Sequence, residues 1–300
     1  MKPVAFLTLT VVGVAGAWGY YYYQEFYIPS IYAAEVVPLY QTVPHAVGIL
    51  HSFSPSEEEG FLEAGNVLHE QCNALNFTKQ QLVNIQPAPQ GELIHHYFQE
   101  TLDVLGKACG EAITKVEHMG SLITFLAEFE KIFTIEEDVS RSSNKEDDPT
   151  VPRIRTVGDL QRIWGGQMKA AAEAGTKAFG GNLTDIDEKT ADTLSKEWER
   201  IEPNLAAMMS VLENLNLPPS LSIEEVGQRA ASSQLQAAEK AMRELTKSRD
   251  ALTKIRGEPE FSISALDIVS FRSLKGVSQA EISEHLYTLD AAIKELDARY

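Results

Sequence analysis

From Phe98 to Phe133 the chain carries apolar residues at steps of three or four: Phe98, Leu102, Leu105, Cys109, Ala112, Val116, Met119, Ile123, Leu126, Phe129 and Phe133. A β-strand cannot hold that pattern on one face, because its side chains alternate every second residue. A helix can, since the spacing gathers all of them into a single stripe, the seam of a packed bundle. The run predicts one long helix beginning near Gly91, and an all-α body around it.

The same spacing recurs on both sides. An earlier helix opens at Ser54-Pro55-Ser56-Glu57, a serine cap with proline in the first turn and glutamate three residues on. Its seam is Phe61, Gly65, Leu68, Cys72, Leu75 and Leu82, and Pro87 and Pro89 end it. Beyond the long helix, Ser140 to Pro152 is polar, charged and proline-bounded, the composition of a linker. A third helix follows Thr156, whose hydroxyl suits a cap with Asp159, and runs through Leu160, Ile163, Trp164 and Met168 to Gly180-Gly181. Thr184 or Asp185 caps a fourth, with the seam Leu194, Trp198, Ile201, Leu205, Met208, Leu212 and Leu215, and Pro203 is expected to kink or divide it. Ser222 and Glu225 form a capping box for a fifth, carrying Leu235, Ala238, Met242, Leu245, Leu252 and Ile255. A short helix is expected around Ala265 to Leu274. Ser278 and Glu281 cap the last, with Ile282, Leu286, Leu289, Ile293 and Leu296.

The N-terminus bears on the compartment. After Lys2, residues Val4 to Gly19 are uncharged and mostly apolar, and no charge follows until Glu25. That is roughly the ~20 residues a membrane-spanning helix needs. Two readings stand. Ala15-Gly16-Ala17 offers a signal-peptidase site after Ala17. Trp18, Tyr20, Tyr21, Tyr22 and Tyr23 form the aromatic cluster of an uncleaved anchor at a membrane interface, and a mature chain opening on those rings would be sticky. After Lys2 there is no Lys or Arg until Lys79, so positive-inside bias puts the N-terminus in the cytosol and the body across the membrane. The expected periplasm, cell surface or organelle lumen or intermembrane space follows.

The expected architecture is an all-α fold: an N-terminal single transmembrane or signal-anchor helix, then a bundle of about six long, heptad-patterned, antiparallel helices. Along the chain this gives 1–24 as anchor or signal sequence and 25–54 as an apolar stalk broken by Pro29, Pro38 and Pro44. A long hairpin over 55–139, a polar linker over 140–156 and a helical bundle over 157–300 complete it.

Charge narrows the partners. Twenty-six Lys and Arg against forty-three Asp and Glu give −17, and such a surface repels phosphate backbones. No nucleic acid is expected. Chemistry-bearing motifs are sparse. Cys72 and Cys109 sit on facing seams of the first hairpin. Reflection through a turn at Pro87 to Gln90 sets Cys72 opposite Leu105, one turn from Cys109. A disulfide suits an oxidising compartment; two buried free thiols are the alternative. Glu92 with His95, and His69 with Cys72, have metal-ligand spacing, but no second Glu/His pair completes a di-iron set. No metal or cofactor is expected. Nucleophile-elbow, phosphate-loop and dinucleotide signatures are absent from the sequence.

These features lead to a non-enzymatic, membrane-anchored scaffold or interaction protein. Its expected partners are the membrane, through the N-terminal helix, and other subunits or further copies of itself, in a membrane-associated complex or a surface structure. The alternative is an extracytoplasmic helical-bundle module that binds or senses a ligand.

Overall fold

The computed structural model describes residues 16–56, 60–141, 154–181, 183, 188–256 and 263–300. It is all-helical. Among the described residues there is no strand, and one isolated bridge joins Thr156 to Ser222. The helices are α1 (Ile28–Ser52), α2 (Gly60–Asn84), α3 (Glu92–Arg141), α4 (Gly165–Phe179), α5 (Glu188–Glu213), α6 (Ile223–Arg229), α7 (Ser232–Arg256), α8 (Ala265–Val269) and α9 (Gln279–Arg299). They form two compact units, one of residues up to Val116 with Ser264–Tyr300, the other Glu117–Ile263. The 50-residue α3 contributes to both.

In the first unit α1 packs against both α2 and α9, and the seams of α2, α3 and α9 are all buried. Leu68, Cys72, Leu75 and Leu82 are buried with Phe98, Leu102, Leu105, Cys109, Ala112 and Val116, and with Ile282, Leu289, Ile293 and Leu296. The expected stalk is a correction. Residues 28–52 are a continuous helix despite Pro38 and Pro44 in its interior. Both prolines lie on its exposed face. The opposite face buries Tyr32, Val36, Leu39, Tyr40, Val43, Val47 and Leu50. Each such side chain contributes about 1.5–3 kcal/mol, so together they outweigh the ~3 kcal/mol or more that an internal proline costs. Tyr40 donates its hydroxyl to Asp290 Oδ1 at 2.9 Å, and Thr42 and Thr78 share a 2.7 Å hydroxyl contact.

The α8–α9 connection is clamped onto α3. Ser264 and Ser278 accept from the N–H groups of Asp267 and Glu281 and cap the two helices. Lys115 is buried and donates its ammonium to the Ser273 carbonyl. The Glu111 carboxylate accepts from the N–H groups of Lys275 and Gly276 at 2.5 and 2.8 Å. Burial pushes its carboxyl up, but these two bonds and the Lys115 charge outweigh burial and hold it below the ordinary value. Beside the clamp Phe271 adopts φ 59°, a left-handed conformation costing roughly 1–3 kcal/mol. Its ring is fully buried in compensation.

The second unit is built around aromatic rings. Phe179 of α4 stacks on Trp198 of α5 at 5.3 Å, and Phe125 of α3 meets both edge-on at 5.4 Å. Gly175 makes the α4–α5 approach feasible, since a Cβ there would lie 2.0 Å from Trp198. Thr156 and Asp159 form the expected capping box. A π turn over Leu160–Trp164 then leads into α4, and the Trp164 indole N–H donates to the Ile132 carbonyl at 3.2 Å. The whole α5 seam from Leu194 to Leu215 is buried.

Several details differ from the sequence reading. Pro203 does not divide α5. Ser222 makes no side-chain cap bond, and its helix ends after seven residues at an extended Ala230. On α3, Leu122 and Phe125 are buried while Ile123 is 38% exposed, because a straight helix at 3.6 residues per turn drifts off a strict heptad seam. Leu235, Ala238 and Met242 of α7 are half-exposed, though Leu245, Leu252 and Ile255 on the same stripe are buried. Glu57, Thr184, Asp185 and most of the expected linker lie outside the described residues.

The Gly175 contact makes a testable pair. Gly175→Ala is expected to lower the stability of the second unit by about 1–3 kcal/mol through overpacking. Gly166→Ala, on the same helix with open space around it, is expected to raise stability by up to about 1 kcal/mol. Urea unfolding of both variants checks the contrast.

Candidate functional site

The aromatic cluster is a collar. Residues 16–22 are helical, Tyr23–Tyr27 form a π turn, and α1 follows without a break. Pro29 lacks the N–H that the Glu25 carbonyl would accept in an α-helix, and the backbone passes through i to i+5 bonding just before it, Ile28 N–H to the Tyr23 carbonyl. Trp18 is 69% exposed, Tyr20 68%, Tyr22 61%, and Tyr21, Tyr23, Phe26 and Tyr27 are about half-exposed. The rings touch one another instead of a core. Tyr22 stacks on Phe26 at 5.7 Å, Tyr23 on Tyr27 at 5.4 Å, and Trp18 meets Tyr21 edge-on. Positions 18 and 20 to 23, about 100° apart per residue, lie on every side of the helix. A helix apolar on one stripe packs on a bundle; one apolar all round needs an apolar medium. Tyrosine and tryptophan supply an apolar body with a polar tip, as a headgroup layer requires. At the foot of the collar Gln90 donates to Glu25 at 3.2 Å.

Among the described residues no helix is long and apolar enough to cross a membrane. The apolar run Val4 to Ala15, on which the expected span rests, lies outside them, as does Ala15 of the cleavage motif.

The structure brings Cys72 of α2 and Cys109 of α3 together as a disulfide, with Cα atoms 5.8 Å apart and a sequence separation of 37. Cys109 stands one turn past Leu105, the residue that simple reflection sets opposite Cys72. The connection over residues 85–91 includes a 3-10 turn at Pro89–Gly91, which moves the centre of the hairpin toward its C-terminal arm. Gly65 lies near the far end of the same hairpin, where an added Cβ would sit 3.3 Å from Val116.

The histidines do not assemble. Among the described residues no three His, Cys, Asp or Glu side chains converge on one point. Cys72 is spent in the disulfide. His95 is buried between α1 and α3 with its ring 6.1 Å from Tyr32. Gln99 Nε2 lies 3.1 Å from His95 Nε2, and Nδ1 is buried without a partner. Donation from the Gln99 amide leaves the imidazole proton on that unpartnered nitrogen. Burial holds the imidazole below its ordinary pKa.

An open groove of about 790 Å³ runs along the N-terminal half of α7, with Trp164, Met208, Leu235 and Met242 on its surface. The half-exposed stripe was visible in the spacing; that nothing in the same unit fully covers it was not.

No protein-family model matches the chain, and no curated protein and no solved structure is significantly similar to it.

Two outcomes follow from this chemistry. Replacing both cysteines by serine is expected to destabilise the first unit by about 2–4 kcal/mol, read from denaturant midpoints of oxidised, reduced and substituted protein. The depressed His95 pKa stabilises the fold above the unfolded-state value of about 6.5 and is lost as pH falls toward the folded one. Unfolding titrations between these limits are expected to show falling stability on acidification, and His95→Gln is expected to flatten that slope.

Proposed function

We propose that this chain is a membrane-anchored helical scaffold, non-enzymatic, with its body on the extracytoplasmic side as a subunit of a membrane-associated complex or a surface structure. The observation that carries the reading is the collar. Seven aromatic side chains ring one helix, are exposed on all its sides, and follow directly on an uncharged apolar run in the sequence. Water does not favour such a band, and a patch this rich in aromatic surface marks an interaction site. A headgroup layer accommodates both the ring faces and the hydroxyls.

Two further features support the compartment. The Cys72–Cys109 disulfide suits an oxidising environment. The absence of Lys and Arg between Lys2 and Lys79 favours retention of the positive N-terminus in the cytosol. The acidic body is suited to protein partners and repelled by nucleic acid. A second reading, an extracytoplasmic module that binds a ligand, is favoured by the α7 groove.

Alkaline carbonate extraction of membranes from cells expressing the full chain tests the proposal, combined with protease accessibility and intact mass. The chain is expected in the pellet, with an intact N-terminus and a body accessible only from the extracytoplasmic side. Recovery in the supernatant as a chain beginning at Trp18 would sink the anchor.

A further inference from the structure

The groove on the second unit has a floor of one kind and a rim of another. Leu235, Ala238 and Met242 stand at steps of three and four on α7, and Trp164 and Met208 complete the floor. Farther along the same stripe, Leu245, Leu252 and Ile255 are covered. There α3 adds a second wall: Arg249 pairs with Glu130 and lies 4.8 Å over the Phe133 ring. The less covered part therefore has the spacing that receives a helix. At ~1.5 Å per residue it extends about 10 Å, two helical turns. Its methionines adapt to what they meet, and thioethers favour aromatic rings.

The rim is cationic. Helix α7 carries six Lys and Arg against three Asp and Glu, in a chain of net charge −17. Arg243 and Lys247 border the groove, as does the acidic Glu239. Lys247 is engaged with Glu244 at 2.6 Å. Arg243 is exposed and has no ion-pair partner among the described residues.

The complement of that groove is present on the chain itself. Helix α9 carries five Asp and Glu against two Lys and Arg. Its outer face presents Ala280, Glu284, Tyr287 and Ala291 at steps of four, three and four, all exposed. Tyr287 is 78% exposed, the highest value for a large apolar side chain among the described residues. A lone tyrosine on a small-residue stripe with acidic neighbours is a knob without a hole.

We propose that the α7 groove is the docking site for α9 of a second copy of this chain. Tyr287 enters between Leu235 and Met242 against Trp164, and the acidic flank of α9 meets Arg243 and Lys247. Each copy offers one knob and one groove, and the two surfaces of the contact are different. The inference rests on the scaffold reading and names one of its partners. Its fate is separable, because anchoring is read by membrane extraction and pairing by mass.

The test uses the full chain in mild detergent, with mass from light scattering corrected for detergent over a wide concentration range. Tyr287→Ser removes the knob and Arg243→Glu inverts the rim. Both positions are exposed, so neither variant is expected to disturb the fold. The wild-type chain is expected to associate with rising concentration, and each variant alone to weaken association by about tenfold or more. An equimolar mixture of the two variants is expected to recover a one-to-one dimer, because one retains its groove and the other its knob. A monomer at every concentration overturns the proposal. So does association that both variants leave unchanged, which would trace it to the collar, or a mixture that fails to recover.

Discussion

Burial of the α3 seam is the constraint to which the other helices answer. Its first half, from Phe98 to Val116, is buried in the core of the first unit, and its second half, from Met119 to Phe133 with Ile123 excepted, in that of the second. The partners differ in kind. Aliphatic seams at helical spacing meet in the first unit, where the disulfide joins α2 to α3. In the second, Phe125, Phe179 and Trp198 form an aromatic trio, and the Trp198 ring fills the space left by the absent Cβ of Gly175. Large flat rings need small neighbours, and the Ala- and Gly-rich composition of α4 supplies them.

Polar groups inside the first unit are arranged by what each can reach. Lys115 enters a buried position but finds the Ser273 carbonyl and the Glu111 carboxylate. Removing one partner of a buried charge is costlier than having neither, so this trio fixes the α8–α9 connection, including the left-handed Phe271. His95 has the opposite balance: one nitrogen is engaged and one is not. The clamp and the histidine show two uses of burial, one locking a loop and one leaving a titratable weak point.

The helical seams were legible in the sequence because spacing is a local property. Thr156 with Asp159, and Ser278 with Glu281, were legible for the same reason: a cap joins residues three apart within one turn of backbone. Ser222 has the same signature and no cap bond, so the motif alone does not fix its rotamer. The prolines of α1 misled because their local cost is offset by a buried face whose partners are distant in the chain. Leu235, Ala238 and Met242 misled in reverse: the stripe is real, but covering it takes neighbours that spacing cannot count. The positions of Cys72 and Cys109 on facing seams were readable. Their meeting depends on the length of the connection between α2 and α3, which no single residue encodes.

The collar and α1 belong to one uninterrupted run of helix, from residue 16 to Ser52, whose later part is core. A helix that ends in a flexible tether does not pass on what happens at its tip. Here no loop separates the exposed rings from the buried face of α1. A bending load applied at the collar is therefore delivered as torque to Tyr32, Val36 and Tyr40, where they pack in the first unit.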